Sequence, residues 1–405
     1  MPRRAALPLT LARVVSLRDS GRPDDWEEAP QTKQARRRLL IAVVVLALIA
    51  LVGFRTRSAP GSTLAIGPSP APATSDAEAA EFERVAFRAV VLEPVQTVGE
   101  EAGTGPVLSD TTATSILALD VIDLHVIDVA SGDVRTVRLP SEMTEQDRVR
   151  RMFGVGEHVI VTGFTTVTRL SGDGLQPTRI ASGYTALPTY AESSVWLVPP
   201  RASNASRRAL RIGPDGAVQA SVALSAEVDA VAGTSDHLVV SAPGGARIIS
   251  AGRGLSIRRS GLVAAVAEDR LARTECSADL ACRTVIGTVD GPDQARSPLR
   301  TDEVPAGYYG AAMGEFSPDG RWLALPVLGT GNGSTDQIEV VIVDTTLGTE
   351  VGRVRVPIET RTAWTPDSRW LVLSHDRGLR AWSMQQRRAV ELDVAVDGVR
   401  ALVVR

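Results

Sequence analysis

Phe316-Ser-Pro-Asp-Gly-Arg-Trp-Leu-Ala-Leu325 and Trp364-Thr-Pro-Asp-Ser-Arg-Trp-Leu-Val-Leu373 are two copies of one plan. Each reads aromatic residue, Ser or Thr, Pro-Asp, a small residue, Arg-Trp, and then an apolar run. Pro presets φ for a tight turn, and Gly tolerates φ > 0. The residues that follow are strand formers bounded by further turns. Each copy therefore reads as strand, turn, strand, and one such unit cannot bury its apolar face alone. The copies lie 48 residues apart, and periods of roughly 40–50 residues are the mark of radial β-arrays.

Working outward, the same apolar core recurs along the chain. The series is Ser115-Ile-Leu-Ala-Leu, His158-Val-Ile-Val, Trp196-Leu-Val, His237-Leu-Val-Val, Arg270-Leu-Ala, Trp322-Leu-Ala-Leu and Trp370-Leu-Val-Leu. The mean spacing is about 42 residues, inside the usual blade range. Most units continue into further strands. Leu124–Leu139 turns at Ser131-Gly-Asp133, Gln337–Asp344 is followed by Val351–Val356, and Gly378–Ser383 is followed by Ala389–Val396. Seven units of about four strands fill residues 107–405, which predicts an all-β fold, a seven-bladed β-propeller. The terminal run Val399–Val404 comes after the seventh unit has used its strands, so it is expected to pair with the first unit and close the ring. An open sandwich is the structural rival, but it leaves the repeated Pro-Asp-x-Arg-Trp unexplained.

The residues Pro318, Asp319 and Trp322, with Pro366, Asp367 and Trp370, carry a resemblance. Ser317-Pro-Asp-Gly-Arg-Trp-Leu-Ala and Thr365-Pro-Asp-Ser-Arg-Trp-Leu-Val resemble the repeat of TolB-like, WD-repeat-related β-propellers. In the other five units only the apolar core and its spacing survive. The resemblance implies a disc with a central channel and loop-built binding faces, and it carries over no catalytic residue.

Ahead of the array the composition changes three times. Residues 1–38 are polar and end in Arg36-Arg37-Arg38. Ala6–Leu17 has the spacing of a short amphipathic helix, while Pro8, Pro23 and Pro30 favour a disordered tail. Leu39–Phe54 is uncharged and apolar, between a signal-peptide core and a spanning helix in length. The long leader and the lack of a nearby small-x-small cleavage site favour an uncleaved transmembrane helix, and Arg55 and Arg57 can snorkel to extend it. The inner positive flank of Lys33 and Arg36–Arg38 then keeps the tail cytoplasmic and exports the bulk, a single-pass plasma-membrane topology. Residues 55–80 read as an Ala/Pro/Ser-rich linker, and Ser75–Glu78 resembles a capping box that would open a short helix before Glu81–Leu92. The propeller domain is assigned to residues 81–405.

With 405 residues, length alone would allow two or three domains. Hydrophobic residues make up 44% and charged ones 22%, which is ordinary for a globular chain. A net charge of −3 argues against a nucleic-acid partner. Positive charge is almost all arginine, and with the abundant Ala, Val and Gly this composition is what the codon bias of a GC-rich bacterium, such as an actinobacterium, would produce.

No catalytic or cofactor motif emerges. Cys276 and Cys282 flank five residues between two strands, a spacing that suits a disulfide across a hairpin and an oxidising compartment; free thiols or a redox or metal role are the alternatives. His125, His158, His237 and His375 lack metal-site spacing. His158 and His237 stand where tryptophan stands in other units, which points to packing. The tryptophans themselves are read as fillers between neighbouring blades. Asp120, Asp123 and Asp128 could be imagined around calcium but bracket a hairpin, where Asp caps turns. Gly329–Ser334 opens no helix and has no following lysine, so it is a hairpin loop rather than a phosphate cradle. Tyr308-Tyr309 could line a face of the disc or pack a loop. The expected function is a non-enzymatic, membrane-anchored extracytoplasmic module that binds a protein or an envelope component or serves as a scaffold, with a cytoplasmic partner possible for the tail; a purely structural scaffold would lack a large apolar or aromatic patch on either face. The rival is a lyase- or glycosidase-type propeller enzyme, and it requires acidic or basic groups converging at the channel mouth.

Overall fold

The two Pro-Asp turns fold alike, and they show why the repeat exists. In the first, Gly320 N–H donates to Ser317 O (2.8 Å) and Ser317 N–H to Trp322 O (2.9 Å). Ser317 Oγ donates to Asp319 Oδ1 (2.6 Å) and accepts Trp322 N–H (2.9 Å), while Asp319 Oδ1 also accepts Arg321 N–H (3.0 Å). In the second, Thr365 Oγ1 donates to Asp367 Oδ1 (2.7 Å) and accepts Trp370 N–H (3.0 Å), and Arg369 N–H reaches Asp367 Oδ1 (3.2 Å). The small residue after Asp is the one that must take positive φ: 69° at Gly320 and 60° at Ser368.

The computed structural model describes residues 89–405 apart from 145–150, 190–193, 200–206, 214–215, 226–227, 243–244, 252–255, 278–280, 299–302, 306–312, 330–336 and 376–377. The tail, Leu39–Phe54, the linker with its capping box, and Tyr308-Tyr309 lie outside the described residues. Among the described residues no helix is long and apolar enough to cross a membrane.

The chain opens with β1 (Val90–Val91) and β2 (Gln96–Glu101). Blade 1 follows as β3 (Ser115–Leu119), β4 (Asp123–Asp128) and β5 (Val134–Arg138). The one-turn helix α1 (Ser141–Thr144) leads to blade 2, β6 (Arg151–Val155), β7 (His158–Thr162), β8 (Thr166–Ser171) and β9 (Gln176–Ser182). Blade 3 is β10 (Thr185–Leu187), β11 (Val195–Val198), β12 (Arg207–Ile212) and β13 (Val218–Leu224). Blade 4 is β14 (Asp229–Gly233), β15 (His237–Ala242), β16 (Gly245–Ser250) and β17 (Ser256–Arg259). Blade 5 is β18 (Leu262–Val266), β19 (Arg270–Cys276), β20 (Cys282–Thr288) and β21 (Asp293–Pro298). Blade 6 has a split first strand, β22 (Glu303–Pro305) and β23 (Glu315–Phe316), before β24 (Trp322–Gly329), β25 (Gln337–Asp344) and β26 (Thr349–Pro357). Blade 7 is β27 (Thr362–Trp364), β28 (Trp370–His375), β29 (Gly378–Ser383) and β30 (Arg388–Glu391), and the chain ends in β31 (Ala401–Val404).

Seven antiparallel sheets result, so the fold is a seven-bladed propeller. All seven apolar runs form the second strand of a blade; the run at Trp196 begins one residue earlier, at Val195. These strands are buried on both faces, as in Ser115–Leu119 and Val195–Val198. That is why they read as continuous apolar runs rather than alternating ones. Seven separate apolar clusters each join one blade to its neighbour.

β31 pairs antiparallel with β3, Ile116 opposite Val404 and Leu119 opposite Ala401, so the C-terminus supplies the first strand of blade 1. Arg405 and Ser115 exchange backbone hydrogen bonds of 3.0 and 2.9 Å. Three features differ from the sequence reading. β1 adds to β9 on the rim of blade 2 and β2 to β5 on the rim of blade 1. The last outer strand stops at Glu391, short of the expected Val396: Leu392, Val394 and Val396 leave the ladder and pack into the cluster between blades 7 and 1.

Up-and-down strands put the turns between first and second strands, and between third and fourth, on one face of the disc. Turns between second and third strands, with the blade-to-blade connections, lie on the other. The first face is laced from blade to blade. Trp196 Nε1–H donates to Thr234 O (2.8 Å), Ser235 N–H to Glu268 Oε1 (3.0 Å) and Arg270 to Thr345 Oγ1 (3.1 Å). Asp319 N–H donates to Ser368 Oγ (3.1 Å), Trp370 Nε1–H to Ser109 O (2.9 Å) and Thr112 N–H to Asp367 Oδ2 (2.8 Å).

Candidate functional site

The face carrying the second-to-third turns presents apolar side chains on two adjacent blades. In blade 1 Asp120 Oδ1 accepts the N–H groups of Ile122 and Asp123, both at 2.8 Å, so the turn satisfies its own backbone. Val121 and Ile122 are left 54% and 38% exposed, and Phe164, on the equivalent turn of blade 2, is 47% exposed. Beside them Arg138 grips Asp123 through two hydrogen bonds (2.8 and 3.0 Å). That contact holds the Asp123 carboxyl below its usual pKa and raises that of Arg138. Exposed apolar side chains thus stand on equivalent turns of two adjacent blades, with an ion pair beside those of blade 1.

The channel wall is built from the first strands β31, β6, β10, β14, β18, β22–β23 and β27. Among the described residues it carries one strongly perturbed acid. Glu315 on β23 turns its carboxyl toward β27, where Thr362 Oγ1 donates to Oε2 (3.3 Å) and Trp364 Nε1–H donates to the Glu315 carbonyl (3.1 Å). Enclosure between the two strands pushes its pKa up to about 8, against the opposing pull of Thr362 and the Trp364 backbone. The residue as a whole is only half-buried. At the head of β27, burial pulls the Arg361 guanidinium below its usual pKa, with Glu359 opposing, and its Nε donates to Arg400 O (2.8 Å). Among the described residues no group of three or more His, Cys, Asp or Glu side chains is placed to hold a metal ion.

The other candidates have structural partners. Cys276 and Cys282 form a disulfide between opposed positions of β19 and β20. Asp128 Oδ1 caps its turn through the N–H groups of Ala130 (2.9 Å) and Ser131 (2.8 Å), so Asp120, Asp123 and Asp128 serve turns and an ion pair. His125 Nδ1 meets Thr136 Oγ1 (3.0 Å) and His375 Nε2 meets Glu391 (3.0 Å). Gly329 ends β24, and residues 330–336 lie outside the described residues. The tryptophans fill the joints: Trp196 those of blades 3 and 4, Trp322 and Trp364 those of 6 and 7, Trp370 those of 7 and 1. Pro318 and Pro366 shape the turns, and Asp319 and Asp367 lock them.

Where tryptophan stands in blades 6 and 7, blade 2 has His158, and beside it a crevice runs between blades 2 and 3. Val155, Ile160, Ile180, Val195 and Ile212 line it, with His158 and Arg169. It has room for roughly two waters. The His158 Nδ1 atom is buried and has no hydrogen-bond partner. Sequence reasoning placed His158 at the tryptophan position but could not see the space it leaves.

The sequence matches no protein-family model and no curated protein. Solved structures of similar shape include apo AztD from Citrobacter koseri, 12% identical over 72% of this chain and 97% of that one, with a TM-score of 0.42. The Neurospora crassa Pan2 WD40 domain is 11% identical over 76% and 99%, with a TM-score of 0.42. Kuenenia stuttgartiensis hydrazine synthase is 12% identical over 58% and 77%, with a TM-score of 0.43. Likeness at this level transfers no activity, and the fold assignment rests on the strand pairing itself.

Proposed function

We propose that the disc is a binding module, held outside a bacterial cell by Leu39–Phe54, that docks a protein or envelope partner on the face of the second-to-third turns. The observation that carries this reading is the pairing of exposed Val121 and Ile122 with exposed Phe164 on adjacent blades of one face. Contiguous apolar surface rimmed by polar groups marks interaction sites, and buried aromatic anchors dominate their energetics. The apolar, arginine-flanked segment at 39–54 and the Cys276–Cys282 bond agree with export to an oxidising compartment. In this reading the tail of residues 1–38 faces the cytoplasm, where it is free to meet a second partner.

The test is affinity capture from detergent extract with the full chain and with an Ile122→Arg/Phe164→Arg variant. A specific partner is expected with the parent chain, reduced at least tenfold with the variant while the melting temperature holds. Equal capture by both chains would remove this face from consideration.

The second reading, a propeller enzyme, is favoured by Glu315 alone: a carboxylic acid kept neutral near pH 7 in a channel wall could donate a proton to substrate. Perturbed acids cluster at functional sites, yet structural burial produces them too.

A further inference from the structure

We infer that Arg361 and Arg400 form a binding site for a carboxylate at the mouth of the channel, on the face that presents Val121, Ile122 and Phe164. Both arginines immediately precede a first strand, Arg361 before β27 of blade 7 and Arg400 before β31 of blade 1. First strands are entered from the face of the second-to-third turns, so the two residues stand side by side at that end of the channel. The Arg361 main chain is fixed to β28: its N–H donates to Ser374 Oγ (2.8 Å) and its carbonyl accepts Ser374 N–H (2.9 Å). Its side chain crosses the joint, where Nε donates to Arg400 O (2.8 Å). Arg400 N–H in turn donates to Leu119 O (2.7 Å), the last residue before the turn that carries Val121 and Ile122.

A guanidinium carries its N–H donors in a rigid planar fork. The bond to Arg400 O takes up Nε and fixes the plane. Among the described residues no hydrogen bond or ion pair engages the terminal nitrogens of Arg361 or the guanidinium of Arg400. Arg361 is nevertheless half-buried, and that burial works against its charge. A cation drawn out of water without a counter-charge is stabilised by an incoming anion. Nη1 and Nη2 together match the two oxygens of a carboxylate, and exposed Arg400 adds a second charge from the neighbouring strand. Local charge selects a monoanion. Glu359 lies close enough to favour the charged form of Arg361 without pairing with it, and exposed Asp397 stands just before Arg400. Two cations opposed by two carboxylates suit a carboxylate better than a phosphate dianion. The site stands on the arginines alone and does not require the docking reading. If that reading holds, an acidic side chain of the docked partner is the natural source of the carboxylate.

Isothermal titration of the full chain in detergent tests this, at constant ionic strength because salt screens such contacts. The probe is N-acetylglutamic acid α-amide, which carries one side-chain carboxylate, with inorganic phosphate in a parallel arm. The expected result is saturable one-to-one binding of the amide at millimolar concentration, a raised melting temperature, and weaker binding of phosphate. Arg361→Gln should weaken the amide at least tenfold. Arg361→Lys keeps the charge but loses the fork, and should weaken it about fivefold. Arg400→Gln should weaken it about threefold, whereas Glu359→Gln, which removes an opposing charge, should tighten it about twofold. These last two replace exposed side chains and keep the test decisive should the Arg361 variants fail to fold. No saturable binding by the parent chain would overturn the inference, as would unchanged affinity in the Arg361 and Arg400 variants or tighter binding of phosphate. Affinity capture with an Arg361→Gln/Arg400→Gln variant then separates the sources: loss of a partner held by the parent chain assigns the carboxylate to that partner, and undiminished capture assigns it to a free small acid. Failure to capture any partner would count against the docking reading and leave the titration standing.

Discussion

Asp367 shows how much one side chain can hold. Its carboxylate accepts from Thr365 Oγ1, from Arg369 N–H and, across the joint into blade 1, from Thr112 N–H. Burial alone would raise its pKa; these hydrogen bonds outweigh burial and hold the group below the usual carboxylate range. Asp367→Ala should cost about 2 kcal/mol in urea denaturation near pH 7, because it removes an acceptor from a partly buried network. The sign with pH follows from the depressed folded-state value. The stabilisation is present above the unfolded pKa of about 4 and is lost as pH falls through the folded one. The difference between parent and variant should therefore shrink in acid. Glu315 behaves oppositely. Its pKa is raised from 4.5 to about 8, so across that window the folded chain holds a proton that the unfolded chain has lost. Stability should fall as pH rises, by up to about 1.4 kcal/mol per pH unit. Denaturation at pH 5, 6.5 and 8 should show Glu315→Gln gaining on the parent chain as pH increases, and a constant difference would refute the assignment. The Pro-Asp turns were legible because their chemistry is local. Glu315 was not, since its enclosure is created by a strand about fifty residues away in the next blade.

At the level of strands and turns, the second strands were the legible part. They are packed on both faces, and a run of Leu, Val and Ile is the direct imprint of that burial. The rim strands left no such imprint. Every residue of β2 is exposed, so Gln96–Glu101 has no apolar alternation to betray it. β1 is two residues long and joins a blade that begins about sixty residues later. The end of β30 was misplaced for a related reason: Leu392, Val394 and Val396 alternate like a strand, but they serve the apolar cluster rather than a ladder. The β19–β20 hairpin was readable from its cysteine spacing. The disulfide closes a loop of six residues' separation, and chain-entropy reasoning gives it about 2 kcal/mol. Replacing both cysteines by serine should lower stability by that amount and leave the fold unchanged by circular dichroism. A larger loss would mean that the bond also maintains the packing of blade 5 against its neighbours.

For the whole molecule, the controlling fact is that no blade hides its own apolar surface. Each of the seven clusters is shared by two blades, so the array is sound only if the last blade meets the first. That junction depends on β31 lying against β3, with Leu402 packed toward blade 7 and Val403 toward blade 2. The ring in turn presents Val121, Ile122 and Phe164 on one face, and the docking surface proposed there presupposes its closure. Closure can be tested by trapping. Ile116 and Val404 are opposed across the junction, on a non-hydrogen-bonded pair where backbones approach closely enough for a disulfide. In an Ile116→Cys/Val404→Cys variant, peptide mapping by mass spectrometry after mild oxidation should find residues 116 and 404 joined in nearly all molecules, with a higher melting temperature that reverts on reduction. Persistent free thiols at both positions, in a chain that is otherwise folded, would contradict the closed ring.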